Sequence, residues 1–166
     1  MKQEDARALI SKGIDTSKQQ HWADFGCGTG TFTSALFHLL PVGSSIEAVD
    51  LQKQHLSIPV NFTVANFETD ELILPALDGI LMANSLHYIK DKKKLIRKLE
   101  THFGDDRNFL IVEYNTDMAN TWVPYPLSFP NLITLFTELG YNRITKLGTR
   151  HSIYNHAEIY SALIQL

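Results

Sequence analysis

Apolar residues along the chain fall into short runs that alternate with segments of helical spacing. Short runs that are bounded by turn-forming residues and rich in β-branched and aromatic side chains are typical of strands. Such runs predict five strands, namely HWADF (21–25), SIEAVD (45–50), NFTVAN (61–66), LDGILMANSL (77–86) and NFLIVEY (108–114). Because helix-like segments separate several of these runs, the strands are expected to run parallel.

Between these runs, apolar side chains recur every three or four residues, which is the spacing of one buried helix face. This periodicity predicts helices over 4–12, 31–40, 91–104 and 131–141. Pro41 follows the second of these segments and stops it, and Gly104 closes the third. Alternating strands and helices favour an α/β fold built on a parallel sheet.

The last part of the chain departs from this alternation. Residues 115–130 form an irregular segment rich in proline and aromatic side chains, and the helix over 131–141 follows it. The runs at 142–150 and 157–166 then predict two strands with no helix between them. Strands that are joined directly are expected to pair antiparallel, so we predict a terminal hairpin appended to the parallel sheet.

Length and composition narrow the class of protein. A chain of 166 residues, of which 44% are hydrophobic and 20% charged, fits one globular domain spanning 1–166. The net charge of −3 gives no electrostatic basis for binding nucleic acid. No apolar stretch approaches the ~20 residues that span a bilayer, and a single cysteine excludes a disulfide and a CxxC metal site. Because the polar start MKQEDARALISKG is not a secretory signal, we expect a cytoplasmic protein without membrane, nucleic-acid or metal partners.

A glycine-rich turn, DFGCGTG (24–30), lies between the first predicted strand and the helix that follows it. In this context the end of the strand and the free N–H groups of the helix form a ligand crevice. Gly26, Gly28 and Gly30 remove side chains where a ligand would lie against the backbone. Dinucleotide-binding enzymes favour G-x-G-x-x-G, which would place a glycine at position 31, whereas this turn has G-x-G-x-G.

At this motif the sequence resembles the class I S-adenosylmethionine-dependent methyltransferases, whose first motif is an acidic residue followed by x-G-x-G-x-G. Asp24 supplies the acidic residue, and the resemblance extends over nearly the whole chain. It implies a Rossmann-like, seven-stranded, mostly parallel sheet with helices on both faces and an antiparallel C-terminal strand. It also implies that the turn from Asp24 to Gly30 holds S-adenosylmethionine, with S-adenosylhomocysteine as the product. Cys27 lies in this cofactor turn, where we expect it to pack rather than to act as a nucleophile.

Four residues at the ends of the second and third predicted strands match further cofactor contacts of that family. Asp50 ends the second strand, and the resemblance implies that its carboxylate accepts hydrogen bonds from both ribose hydroxyls. Leu51 would then lie against the adenosine. Asn66 would meet the exocyclic amine of the adenine, and Phe67 would lie on the face of the ring.

The stretch NSLHY (84–88) ends the fourth predicted strand, which lies directly beside the first in this fold. The resemblance implies that Asn84 and Ser85 line the methionine end of the cofactor. His87 and Tyr88 would begin the wall of the acceptor pocket. Because a lone histidine is more often structural than catalytic, both roles stay open for His87. The stretch lacks the (N/D)PP(Y/F) signature of methyltransferases that act on amino groups of nucleic acids.

Two further positions are candidates to face the substrate. Glu113 closes the fifth strand at the same edge, where it either faces the pocket or caps a neighbouring element. Trp122 lies in the irregular segment 115–130, where the family often builds a lid over the acceptor. The aromatic side chains of this segment either form such a lid or simply cover the sheet. As a lid they would favour a small acceptor with an apolar or aromatic part.

The function implied is transfer of a methyl group from S-adenosylmethionine to a small molecule by direct in-line displacement. Two alternatives stay open, a nicotinamide-dependent oxidoreductase and a non-catalytic methyltransferase-like domain that binds the cofactor. The sulfonium is already an activated electrophile, so the protein chiefly aligns the acceptor, and a general base is needed only when the acceptor must lose a proton. The sequence assigns no catalytic residue, acceptor or oligomeric state.

Overall fold

A computed structural model describes residues 1–151 and 158–166, and within them the chain forms seven strands. They are β1 (His21–Phe25), β2 (Ser45–Asp50), β3 (Asn61–Val64), β4 (Leu77–Ala83), β5 (Phe103–Tyr114), β6 (Arg143–His151) and β7 (Glu158–Gln165). They join one sheet in the order β3-β2-β1-β4-β5-β7-β6. Strands β1 to β5 run parallel, and β7 is antiparallel to both of its neighbours. The predicted sheet and its terminal hairpin are confirmed, while residue 157 of the last predicted strand lies outside the described residues.

The order of strands reverses beside β1, which lies between β2 and β4. Asp24 on β1 is in register with Ala48 on β2 and with Leu81 on β4. In an open α/β sheet, the ligand crevice forms at such a reversal, outside the carboxyl ends of the strands. The glycine turn that follows β1 therefore lies at the point where this fold binds ligands.

In the described part of the chain, four α-helices cover the two faces of the sheet. They are α1 (Gln3–Ile10), α2 (Thr31–Phe37), α3 (Lys92–Leu99) and α4 (Phe129–Glu138). Because strand side chains alternate, Phe109 and Ile111 of β5 pack with α3 and α4, whereas Leu110 and Val112 pack with α1 and α2. The prediction of helices on both faces is confirmed. Among the described residues, none of the helices combines the length and apolar character that crossing a membrane requires.

The edge of the sheet around β3 has no helix beside it. Residues 51–60, which join β2 to β3, and residues 65–76, which join β3 to β4, contain no helix. The strand Asn61–Val64 is accordingly short and largely exposed. The first residues of each connecting segment instead lie at the carboxyl ends of the strands, where Leu51, Gln52 and residues 65–68 help to enclose the site described below.

The prediction of a helix over 91–104 is wrong at its C-terminal end. Helix α3 stops at Leu99, a short 3₁₀ turn spans Glu100–His102, and Phe103 already belongs to β5. Phe103 pairs with Leu77 of β4, and its ring packs edge-on against Phe109 at 5.1 Å between centroids. This pairing across the sheet overrides the helical spacing of the local sequence.

The other predicted elements differ from the structure only at their ends. The helix predicted over 31–40 ends at Phe37, because Pro41 disfavours helical backbone in the residue before it. The strand predicted over 77–86 ends at Ala83, and the next residue, Asn84, takes a φ of 54° that a strand does not allow. The strand predicted over 61–66 ends two residues early, and the helix predicted over 131–141 spans Phe129–Glu138.

Candidate functional site

A cavity of about 670 Å³ opens where β1, β2 and β4 end. Its wall includes every cofactor residue expected from the sequence except Gly30, namely Asp24, Gly26, Cys27, Gly28, Asp50, Leu51, Asn66, Phe67, Asn84 and Ser85. Sequence reasoning missed several neighbours that also line it, among them Met1, Thr29, Gln52 and Glu68. We call this space the first cavity.

The space beside each glycine of the turn is occupied differently, by a protein side chain at two positions and by open space at the third. Gly26 has a φ of 77°, and a Cβ added to it would lie 2.5 Å from the Cβ of Ser85. The bare backbone at this position therefore lets the end of β4 approach β1. A Cβ on Gly30 would meet Leu56 in the same way, whereas one on Gly28 would have no atom within 4 Å. The expectation that the glycines clear space for a ligand thus applies at Gly28, while protein side chains fill the space at the other two.

Asp50 at the end of β2 holds the turn in place. Its Oδ2 accepts a hydrogen bond of 2.8 Å from the backbone N–H of Gly28. Its Oδ1 accepts one of 2.9 Å from the N–H of Gln52. A carboxylate has about four acceptor sites, so both oxygens can still receive hydroxyl donors from a ligand in the first cavity.

Two buried acceptor atoms of the first cavity have no hydrogen-bond partner among the described residues, Oδ1 of Asp24 and Oδ1 of Asn84. Asp24 is buried, and its Oδ2 accepts a hydrogen bond of 2.6 Å from the hydroxyl of Thr33. Burial, and to a lesser extent the negative charge of Asp50, raises the pKa of Asp24 to about 7. Unpaired buried acceptors are costly, so both atoms suit a ligand that brings hydrogen-bond donors.

The charge of the first cavity is negative. Asp24, Asp50 and Glu68 line it, and no lysine or arginine side chain occurs in the described lining. A pyrophosphate would meet the carboxylates of Asp50 and Glu68 without a lysine or arginine to compensate its charge, which is unfavourable. The cavity therefore suits a ligand that is positively charged and rich in hydroxyl or amine donors.

Cys27 does not have the properties of a nucleophile. Burial, together with the negative charges of Asp24 and Asp50, raises the pKa of its thiol to about 12. The thiolate, which is the reactive form, is then negligible near neutral pH. The interpretation of Cys27 as a packing residue agrees with this.

The loop after β3 is built around Asn66 and Phe67. Asn66 uses its side-chain oxygen to accept a hydrogen bond of 3.0 Å from the N–H of Glu68. The ammonium of Lys98 on α3 donates to the carbonyl of Phe67 at 3.1 Å. The ring of Phe67 also packs against Phe25, with 5.6 Å between centroids. Helix α3 and β1 thus hold this loop at the rim of the first cavity.

A second cavity, of about 690 Å³, adjoins the first. It is lined by Asn84, His87, Tyr88, Tyr114, Asn120, Trp122 and Val123, of which Asn84 and Tyr88 also line the first cavity. Three of the four residues expected to face the substrate are therefore here. Within the segment 115–130, Trp122 lines the cavity with 78% of its surface exposed while Leu127 is buried in the core, and the lid over the acceptor stays a prediction.

Glu113, the fourth expected residue, does not line the second cavity but binds His87. Both side chains are buried, and Nδ1 of His87 lies 2.7 Å from Oε2 of Glu113. The backbone N–H of His87 donates to Oε1 of the same carboxylate at 3.1 Å. Sequence reasoning treated the two residues separately, although both follow the register pair Ala83 and Val112 of adjacent parallel strands. That adjacency is the signal that could have revealed the pair.

Comparison with known proteins identifies a matching family. A family model described as "Methyltransferase domain" matches residues 3–163. A search among curated protein sequences finds no match to the chain.

Several solved structures share the fold. The 1,6-didemethyltoxoflavin-N1-methyltransferase of Burkholderia thailandensis matches with a TM-score of 0.73 and 18% identity, over 98% of this chain and 77% of that one. The plantazolicin methyltransferase BpumL matches with a TM-score of 0.70 and 15% identity, over 96% and 82%. The YcgJ protein of Bacillus subtilis matches with a TM-score of 0.72 and 14% identity, over 98% and 97%. The first two were solved with S-adenosylhomocysteine bound.

Proposed function

The chain belongs to the methyltransferase domain family, and from this premise we propose that it transfers a methyl group from S-adenosylmethionine to a small molecule. The observation that carries the cofactor assignment is the acidic first cavity, in which Asp50 bridges Gly28 and Gln52 beside the unpaired oxygen of Asp24. A sulfonium with an ammonium and a ribose diol fits such a site, because it brings positive charge and donors without a phosphate.

Different residues would contact different parts of this cofactor. Asp50 would accept the ribose hydroxyls, and the loop of Asn66 and Phe67 would meet the adenine. The free oxygens of Asp24 and Asn84 would accept donors at the methionine end, and the open space at Gly28 leaves room for the ligand to lie against the backbone. When bound, the cofactor supplies a methyl group already activated on a sulfonium.

The second cavity supports a small molecule as the acceptor. It joins the first cavity at Asn84 and Tyr88, so a molecule in it would lie next to the methyl donor. In-line displacement requires the lone pair of the acceptor to be held behind the methyl carbon, which is a matter of positioning. The fold relative that was solved with 1,6-didemethyltoxoflavin bound also supports a small acceptor. A net charge of −3 argues against a nucleic acid, and the single cysteine fits a reducing, cytoplasmic setting.

Calorimetry with S-adenosylhomocysteine tests the cofactor assignment. We expect the protein to bind it, and Asp50→Ala to weaken binding about a hundredfold, because two charge-assisted hydrogen bonds to the diol are lost. Asp105→Ala, on the exposed part of β5, is the matched control and should leave the affinity unchanged. Absence of binding by the unaltered protein would exclude the proposed function.

Two measurements separate the proposal from its alternatives. Titration with NADH should give no saturable fluorescence change, because the described lining of the first cavity has no lysine or arginine to bind a pyrophosphate. Turnover of S-adenosylmethionine with a panel of small acceptors separates an enzyme from a domain that only binds the cofactor. If the protein binds the cofactor tightly but yields no methylated product with any acceptor, the binding-only function replaces the enzymatic one.

A further inference from the structure

We propose that His87 is the general base of the methyl transfer, that Glu113 positions it, and that the acceptor is the hydroxyl of a small aromatic ring. This inference rests on the proposed methyltransferase function and specifies the substrate class and the proton path at the same site.

The hydrogen bonds of the pair determine which ring nitrogen of His87 can act. An ionised carboxylate only accepts hydrogen bonds, so Nδ1, at 2.7 Å from Glu113, carries the proton of the neutral imidazole. The other nitrogen, Nε2, is then the acceptor. Because His87 lines the second cavity, Nε2 is the ring nitrogen left for a molecule in that cavity.

The backbone also holds His87 firmly. Its N–H donates to Glu113 at 3.1 Å, and its carbonyl accepts a hydrogen bond of 3.0 Å from the N–H of Tyr125. The ammonium of Lys92 donates to the carbonyls of Ile89 and Tyr125 at 2.8 and 2.7 Å. The imidazole is therefore fixed from β5, from α3 and from the segment 115–130, as a general base must be.

Among the described residues, the titratable groups around the pair leave Glu113 as the negative charge beside the imidazole. Tyr88 and Tyr114 flank the ring of His87, with centroids 4.3 and 5.9 Å away. Burial and the charge of Glu113 raise the pKa of Tyr160 on β7, which stays neutral and donates to the carbonyl of Leu127 at 2.9 Å. Burial lowers the pKa of Lys92 on α3, and the charge of Glu113 opposes that shift. The carboxylate of Glu113 therefore stabilises the imidazolium that forms when His87 takes a proton.

The lining of the second cavity indicates the class of acceptor. Tyr88, Tyr114 and Trp122 contribute aromatic rings, and no lysine, arginine, aspartate or glutamate occurs in the described lining. Such a surface suits a flat, uncharged molecule. Among neutral acceptors with a flat ring, an aromatic hydroxyl has a proton acidic enough for an imidazole to remove.

The step balances within these groups. A lone pair of the hydroxyl oxygen forms a bond to the methyl carbon while the carbon–sulfur bond breaks and leaves its electron pair on sulfur. The hydroxyl proton passes to Nε2 of His87, and the imidazolium that results is paired with Glu113 until it releases the proton to water. No oxidant, reductant or further reactant is required.

Proton uptake can be observed without any methyl transfer. Para-nitrophenol absorbs differently as phenol and as phenolate, so its spectrum when bound to protein saturated with S-adenosylhomocysteine reports the proton. We expect a larger phenolate fraction with the unaltered protein than with His87→Asn at the same pH. His38→Asn, an exposed histidine on the far side of the turn at the end of α2, is the control and should behave like the unaltered protein.

The rate test uses para-cresol and para-nitrophenol as acceptors. His87→Asn should lower kcat about a hundredfold or more for para-cresol, and Glu113→Gln should lower it less, with little change in KM. At alkaline pH the penalty of His87→Asn should vanish for para-nitrophenol, which is then already ionised, and persist for para-cresol. Glu138→Gln, an exposed glutamate, should have no effect. A purely structural role for His87 would give the same penalty for both phenols.

The outcomes distinguish this inference from the function on which it rests. If S-adenosylhomocysteine does not bind, the proposed function fails. If it binds but neither the two phenols nor umbelliferone binds to the loaded protein, the inference alone is overturned. A penalty that is independent of acceptor ionisation also overturns it. If His87→Asn does not fold, the pH–rate profiles of the unaltered protein and of Glu113→Gln decide. Loss of the carboxylate must move the acidic limb, on which the general base becomes protonated, whereas a mere packing role leaves that limb in place.

Discussion

Ser85 and Gly26 meet at the point where β4 and β1 end, and a Cβ added to Gly26 would lie only 2.5 Å from that of Ser85. The hydroxyl of Ser85 donates a hydrogen bond of 2.7 Å to the carbonyl of Phe25, one residue before the glycine. This close approach brings Asn84 and Tyr88 beside the glycine turn. The first and second cavities share a wall because these two strand ends touch.

Gly26→Ala should therefore impair mainly folding, whereas Gly28→Ala should impair mainly binding. Both glycines have positive φ, but only at Gly26 does the new methyl group collide with the protein. We expect Gly26→Ala to lower the free energy of unfolding by about 3 kcal/mol and Gly28→Ala by about 1 kcal/mol. Gly28→Ala should instead weaken binding of S-adenosylhomocysteine, because its methyl group enters the first cavity. Urea unfolding and calorimetry check this, and equal losses of stability would contradict it.

Asp24→Asn should change how stability depends on pH. The pKa of this carboxyl is about 7 in the folded protein and near 3.8 when unfolded. Below pH 3.8 both states are protonated; between the two values only the unfolded state ionises, so the unaltered protein loses stability as pH rises. Above pH 7 the loss is constant. Between these two pH values, we expect the free energy of unfolding of the unaltered protein to fall by up to about 1.4 kcal/mol per pH unit relative to that of Asp24→Asn.

Urea denaturation at several pH values within the window measures this difference. Asp105→Asn, an exposed aspartate on β5, is the control and should follow the unaltered protein at every pH. Parallel curves for Asp24→Asn and the unaltered protein would mean that the carboxyl does not titrate as its burial requires.

Lys92→Met should loosen the segment 115–130 from the rest of the protein. The ammonium donates to two carbonyls, of Ile89 and Tyr125, and methionine leaves both without this partner. We expect a loss of about 2 kcal/mol in the free energy of unfolding and faster proteolysis within the segment. Lys94→Met is the matched control, because Lys94 is exposed on the same helix, and should change stability by less than about 0.5 kcal/mol. A similar loss in both variants would show that helix α3 itself, rather than the carbonyl contacts, is affected.

Trp122→Ala should affect the acceptor but not the fold. The side chain is largely exposed and lines the second cavity, so its removal should leave the melting temperature unchanged. Loss of one aromatic stacking partner should weaken binding of para-nitrophenol to the loaded protein about tenfold. Ile73→Ala, a fully exposed apolar side chain away from the cavity, serves as the control. Unchanged affinity in Trp122→Ala would remove this ring from the acceptor site.

The fold could be predicted largely because its signals are local. β1 and β2 have the predicted bounds, since turn residues follow each apolar run directly. The end of α3 could not be predicted, because Phe103 continues the helical spacing and only its pairing with Leu77 draws it into β5. Local periodicity does not contain that pairing.

The candidate site likewise has one part that could be predicted from local sequence and another that could not. The first cavity is built mostly from residues close to the glycine turn or directly after a strand, and the expected cofactor residues other than Gly30 line it, whereas neighbours such as Met1, Gln52 and Glu68 were missed. The bond between His87 and Glu113 joins residues 26 positions apart, and the role of Gly26 depends on Ser85. Both relationships depend on which strands are neighbours and on their register, and each residue taken alone leaves its role undecided.

The segment that carries Trp122 is fixed at both ends. The N–H of Asn115 donates a hydrogen bond of 2.7 Å to the carbonyl of Glu158, and the N–H of Tyr125 donates one to the carbonyl of His87. Between these anchors, residues 117–122 are all exposed and contribute nothing to the core. Substitutions and insertions in this exposed stretch should therefore leave His87 and the glycine turn in place. Enzymes with new acceptors could be obtained from this scaffold by grafting loops at these two anchors.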